Sequence, residues 1–221
     1  MKTKYTILIT FTFTFAALIA PFANAQTSAR EYQNRGVEKT RNGDLRGAIG
    51  DLDRAIQIDP KHADAYVNRG IIKSILEDYK GAISDYEHAL RIDPNLAEPV
   101  YNNRGNARRK LGDNQGAIVD LNRVLNINPK HASAYLNRGI ARHSMGDNEG
   151  AYADFSRAIQ INPKLVDATY NRAILRYNSG DYEGALIDAS RVIEIAPNHS
   201  NAQNVRKFAR EKMKRQTLLD Q

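Results

Sequence analysis

Cysteine is absent from the 221 residues, which excludes disulfides and a lipoprotein attachment site and leaves packing to hold the fold. A histidine–glutamate metal motif and a glycine-rich phosphate loop are also missing, and the glycines recur singly. No catalytic set can be assembled from such spacing, so the chain is expected to be non-enzymatic and to need neither metal nor cofactor. Long apolar runs are nearly lacking too. The run Tyr5 to Ala20 is short for a membrane span and has no basic stop signal. It follows Lys2 and Lys4 and leads to Ala23-Asn24-Ala25, the pattern of a secretory signal over residues 1–25. Cleavage after Ala25 leaves residues 26–221 in an extracytoplasmic compartment, periplasmic or secreted; an uncleaved anchor is the alternative. Net charge is the remaining scarcity. The chain carries +7; loss of Lys2 and Lys4 leaves +5, of which +4 lies in residues 206–221, with six basic and two acidic side chains. The rest is nearly neutral at +1, which opposes a nucleic-acid surface.

What is present is repetition. Pro60, Pro94, Pro129, Pro163 and Pro197 each follow the end of a similar stretch, at steps of 34, 35, 34 and 34 residues, a period that indicates a solenoid. The copies span about 29–62, 63–97, 98–131, 132–165 and 166–199, each with two helices of period 3.6. Second helices are expected over 45–58, 79–92, 114–127, 148–161 and 182–195. The turns carry Gly43-Asp44, Glu77-Asp78, Gly112-Asp113, Gly146-Asp147 and Gly180-Asp181, where glycine takes a left-handed cap and aspartate caps the next helix. One junction, Pro94 to Pro99, has an extra residue and puts a second proline at the start of its helix. After Pro197 comes one more helix, a solvating cap with a basic tail, over 200–221.

Tyr32, Tyr66, Tyr101 and Tyr135 stand at repeat position four, with Thr169 in the last copy. Gly36, Gly70, Gly105 and Gly139 stand at eight, with Ala173 last, and Ala48, Ala82, Ala117, Ala151 and Ala185 at twenty. This pattern resembles the tetratricopeptide repeat over residues 29–199. The resemblance implies an all-α fold, an α-solenoid of antiparallel helix pairs wound into a right-handed superhelix. It departs at positions seven and eleven, which are basic here: Arg35, Arg69, Arg104, Arg138 and Arg172, then Lys39, Lys73, Arg108, Arg142 and Arg176. Asp51, Asp85, Asp120, Asp154 and Asp188 recur at position twenty-three, one for each arginine at seven, and imply structural ion pairs between the two helices.

Position six is asparagine in every copy: Asn34, Asn68, Asn103, Asn137 and Asn171. An amide both donates and accepts, matching a peptide group without charge. The resemblance places this position in the concave groove, where asparagines hold an extended peptide backbone; a cap or inter-repeat hydrogen bond is the other reading. On the same face, Asn106, Arg109 and Lys110 make the third copy polar and basic, while Ile140, Tyr170 and Tyr177 make the later ones apolar and aromatic. Gln33, Val67, Asn102, Leu136 and Tyr170 at position five lack the lysine of the family's carboxylate-clamp members. The expectation is an exported adaptor for a protein or peptide partner. A structural subunit of an envelope assembly, and a binder of anionic or membrane surfaces through the basic tail, stay open.

Overall fold

The structure, a computed structural model, describes residues 28–219, with side chains to 216. The export signal expected over residues 1–25 lies outside them. The helices are α1 (28–41), α2 (Leu45–Ile58), α3 (Ala63–Ile75), α4 (Tyr79–Ile92), α5 (Ala97–Lys110), α6 (Asn114–Ile127), α7 (Ala132–Ser144), α8 (Asn148–Ile161), α9 (Val166–Asn178), α10 (Tyr182–Ile195) and α11 (Ser200–Leu219), with a 3-10 turn at Pro94–Leu96. No strand occurs among the described residues, so the fold class is all-α, built from consecutive helix pairs.

The turns show why the helices begin and end where they do. Asp44, Asp78, Asp113, Asp147 and Asp181 each accept a hydrogen bond from the backbone N–H of Gly47, Gly81, Gly116, Gly150 and Gly184, at 2.8–2.9 Å, satisfying an N–H that has no partner inside its helix. The residue before each aspartate is left-handed: Gly43, Gly112, Gly146 and Gly180 have φ of 82–92°, and Glu77 adopts φ 63° in the same place. At the other end, Asp59, Asp93, Asn128 and Asn162 precede proline and accept from the N–H two residues on, at 2.9–3.1 Å. Proline, having no N–H, fits between them. Pro99 sits third in α5 rather than first, because the extra residue of that junction is taken up by the 3-10 turn. It is still within the first turn, where no intrahelical N–H bond is lost.

The core is small-residue packing repeated. Ala48, Ala82, Ala117, Ala151 and Ala185 are each 0% exposed. Beside them, position eight meets position twenty-four. A Cβ on Gly36, Gly70, Gly105 or Gly139 would lie 2.9, 2.8, 3.0 or 2.6 Å from Leu52, Tyr86, Leu121 or Phe155. In the fifth repeat the large partner is replaced by Ala189, and position eight is Ala173 rather than glycine; both are buried.

The helices form two compact units that divide between Leu96 and Ala97, at the junction carrying the extra residue. In the first unit α2 packs on α3 and α3 on α4, around Leu52, Ala55, Ala65 and Ile72. In the second, each helix from α5 to α11 packs on its successor, and α5, α7 and α9 also touch in turn. Leu121, Val124, Phe155 and Ile159 are among its core residues.

Candidate functional site

Each first helix presents its arginine at position seven toward the aspartate of its own second helix. Arg104 Nε and Nη2 donate to Asp120 at 2.8 and 2.6 Å, and Arg69, Arg138 and Arg172 hold Asp85, Asp154 and Asp188 in the same two-bond fashion at 2.6–2.9 Å. Arg35 Nε reaches Asp51 at 2.8 Å and its Nη2 also bonds that carboxylate. The residue at position eleven closes on the same aspartate: Lys39, Lys73, Arg108, Arg142 and Arg176 at 2.8–2.9 Å. Each aspartate is therefore shared by two cations. The helix-capping aspartates offset part of the excess, since Asp113, Asp147 and Asp181 lie 3.8, 3.5 and 3.4 Å from Arg108, Arg142 and Arg176.

Burial of these pairs is graded. Arg104 and Asp120 side chains are 9% and 0% exposed, whereas Arg35 is 54% exposed over a largely buried Asp51. The Arg35 hydrogen bonds, with Lys39 beside them, hold the Asp51 carboxyl at about 2, against burial that acts to raise it. Burial disfavours the Arg69 cation, yet its bonds to Asp85 and Asp53 keep its pKa above the ordinary arginine value.

The sequence reading missed a second reach of these arginines. Nη1 of Arg69, Arg138 and Arg172 donates to Asp53, Asn122 and Ser156 of the preceding repeat, at 2.5, 2.6 and 3.1 Å. All three acceptors lie 16 residues before their arginine, at one repeat position but with three different residue types, so the sequence carries no residue-type signal for them. Tyr32, Tyr66, Tyr101 and Tyr135 lie under Arg35, Arg69, Arg104 and Arg138 with guanidinium carbons 4.6–5.5 Å from the ring centres. Where Thr169 replaces the tyrosine, Tyr152 of the preceding repeat supplies a ring 5.9 Å from Arg172 and accepts a 2.8 Å bond from Arg176.

One residue before each bridging arginine stands the asparagine. Asn34 is exposed; Asn68, Asn103, Asn137 and Asn171 are half-buried. Among the described residues no hydrogen bond takes up the side-chain amides of Asn68, Asn103 or Asn137, while Asn171 donates to the Asp167 carbonyl of its own helix at 2.7 Å. Asn106 accepts from Arg109 at 2.8 Å, and Lys110 is exposed at the end of α5. Asn102, beside Asn103, has a buried Oδ1 without a hydrogen-bond partner. Ile140 packs against the Leu136–Phe155 core. Tyr170 and Tyr177 are partly engaged within the chain, against His199 at 4.7 Å and Tyr182 at 5.4 Å between ring centres. The recurrent histidines serve the turns: His131 and His199 accept from the N–H of Ala134 and Ala202, and His62 pairs with Gln33. No group of three or more metal-ligating side chains occurs among the described residues, and no described helix is long and apolar enough to cross a membrane.

A family model described as tetratricopeptide repeat matches residues 63–96 and 132–165, and one described as TPR repeat matches 105–146. No curated protein matches the chain. Among solved structures, YrrB, a TPR protein with an unusual peptide-binding site, is 25% identical, with 84% of this chain and 97% of that one covered and a TM-score of 0.66. A tetratricopeptide repeat protein from Parabacteroides merdae is 24% identical over 85% of this chain and 74% of its own, at 0.70. The pilF protein of Pseudomonas aeruginosa is 19% identical over 87% and 93%, at 0.72; these last two likenesses concern the fold.

Proposed function

Given that this chain is a tetratricopeptide repeat protein and a protein-interaction scaffold, we propose that it is exported and holds an extended segment of a partner protein along the first-helix asparagines of its second unit, Asn103, Asn137 and Asn171. The carrying observation is the pair Asn103 and Asn137. They stand on α5 and α7, which touch each other, and both amides are half-buried and uncommitted among the described residues. Each follows the backbone of a helix clamped by a two-bond arginine–aspartate pair, so the amides are held in place before the ligand arrives. A peptide strand carries one donor and one acceptor per residue, which an amide matches without desolvating a charge. Arg109 and Lys110 favour a carboxylate on the segment where it passes the third repeat, and Ile140, Tyr170 and Tyr177 favour apolar side chains beyond it. The likeness to YrrB, whose structure is named for its peptide-binding site, supports this reading.

Photo-crosslinking residues placed at Asn106 and at Ile140 test it. The expected product is one partner segment linked at both positions, and a segment linked only from second-helix control positions would contradict it. N-terminal sequencing of the exported protein is expected to begin at Gln26, and an exported chain that still begins at Met1 and stays with membranes after high salt would make it a signal-anchored protein instead.

A further inference from the structure

We propose that the C-terminal end of the second unit is a separate docking surface, one that takes an acidic amphipathic helix of a protein partner. Between α10, α11 and the turn joining α8 to α9 runs a groove of about 820 Å³. Leu186, Ile187 and Ile195 form its apolar part, and Ile187 and Ile195 are 59% and 41% exposed. Positions 187, 191 and 195 are four apart and share one helix face, a ridge about 12 Å long at 1.5 Å per residue.

The edges are cationic. Lys164 comes from the turn, Arg191 from α10 and Arg210 from α11, against Glu194 as the acidic lining residue. Arg191 leans toward the turn, where its Nη2 lies 3.5 Å from the Pro163 carbonyl oxygen. Arg210 also borders an adjoining recess with Arg206, Lys207 and Lys214, opposed by Glu211, so the positive field extends along α11. Ile187 and Ile195, with Arg191 between them on the same face and further cations at the edges, fit a helix of two to three turns, apolar at i, i+3, i+4 and i+7 and carboxylate-bearing on its flanks. Because the cations come from separate walls of a groove, they match a rod better than a flat anionic surface.

The test uses the mature protein and two fluorescent helical peptides of about 16 residues, with leucine at the apolar positions and either glutamate or lysine elsewhere. The glutamate peptide is expected to bind with a Kd on the order of micromolar, and the lysine peptide not to bind. Ile187→Glu and Arg210→Glu should each weaken the glutamate peptide by about tenfold or more, with thermal melts unchanged because both side chains are exposed. The Asn103→Ala, Asn137→Ala, Asn171→Ala triple variant should bind it as the parent does, which separates failure here from failure of the asparagine face. Equal binding of both peptides, or unchanged affinity in both variants, overturns the proposal. So does retention on phosphatidylglycerol vesicles with no binding of the glutamate peptide, which would make this a membrane-facing surface.

Discussion

An aspartate shared by two cations is sensitive to the loss of any one of the three groups, and how sensitive depends on water. Asp120→Ala leaves Arg104 and Arg108 facing one another in a buried site, and is expected to cost about 3–5 kcal/mol. Arg35→Ala, at a pair half open to solvent, should cost much less than Asp120→Ala. Urea denaturation of the two variants checks the contrast, and equal losses would show that burial does not govern these pairs. The Asp51 carboxyl supplies the pH dependence. Its pKa is held at about 2 against an ordinary 3.8, so the folded state favours the ionised form. The stability it contributes is complete above the ordinary value and is lost as pH falls from there toward 2. A carboxyl-resolved NMR titration should find its midpoint below those of the exposed carboxylates, and Arg35→Ala should move it upward.

At the scale of the helix pair, what matters is the distance between backbones. Gly139 faces Phe155 so closely that an added methyl would sit 2.6 Å from the ring. Gly139→Ala should therefore destabilise by about 1–3 kcal/mol despite its better helix propensity. In a Phe155→Leu background the penalty should shrink, as a thermal-melt double-mutant cycle would show. The fifth repeat already embodies the paired change, with Ala173 against Ala189. Glu77 is the opposite case: it occupies a left-handed position that four glycines fill in the other repeats, and Glu77→Gly is expected to stabilise by about 1 kcal/mol, with loss of stability as the contrary result.

Much of this level was legible beforehand. The second helices run from Leu45, Tyr79, Asn114, Asn148 and Tyr182 to the ends expected of them, because a capping aspartate marks each start and a following proline, after Asx in four copies and after Ala196 in the last, marks each end. The first helices differ by a residue or so, since they end in left-handed turns that fix the next helix more firmly than their own last residue. Pro99 falls in the first turn of its helix, at the start where the spacing put it.

Across the whole chain, the period exposed the asparagines but not their availability. Asn171 and Asn137 look alike in sequence, yet Asn171 turns back onto the Asp167 carbonyl while the Asn137 amide makes no hydrogen bond among the described residues. The arginine contacts between repeats were hidden for another reason: Asp53, Asn122 and Ser156 share a position but no residue type, so only the geometry groups them. Tyr152 likewise acquires its role from the absence of a tyrosine at 169.

These differences make the central claim quantitative. Each amide bond to a peptide nets about 0.5–1.5 kcal/mol, so replacing Asn103, Asn137 and Asn171 together with alanine should cost about 2–3 kcal/mol, roughly a hundredfold in affinity. The measurement is titration calorimetry of the crosslinked partner segment, made as a synthetic peptide, against parent and triple variant, with a thermal melt of each. The account predicts a Kd raised about a hundredfold and a melt unchanged or slightly higher, with Asn171→Ala alone costing less than Asn137→Ala. Undiminished binding by the triple variant, or a markedly earlier melt, would contradict it.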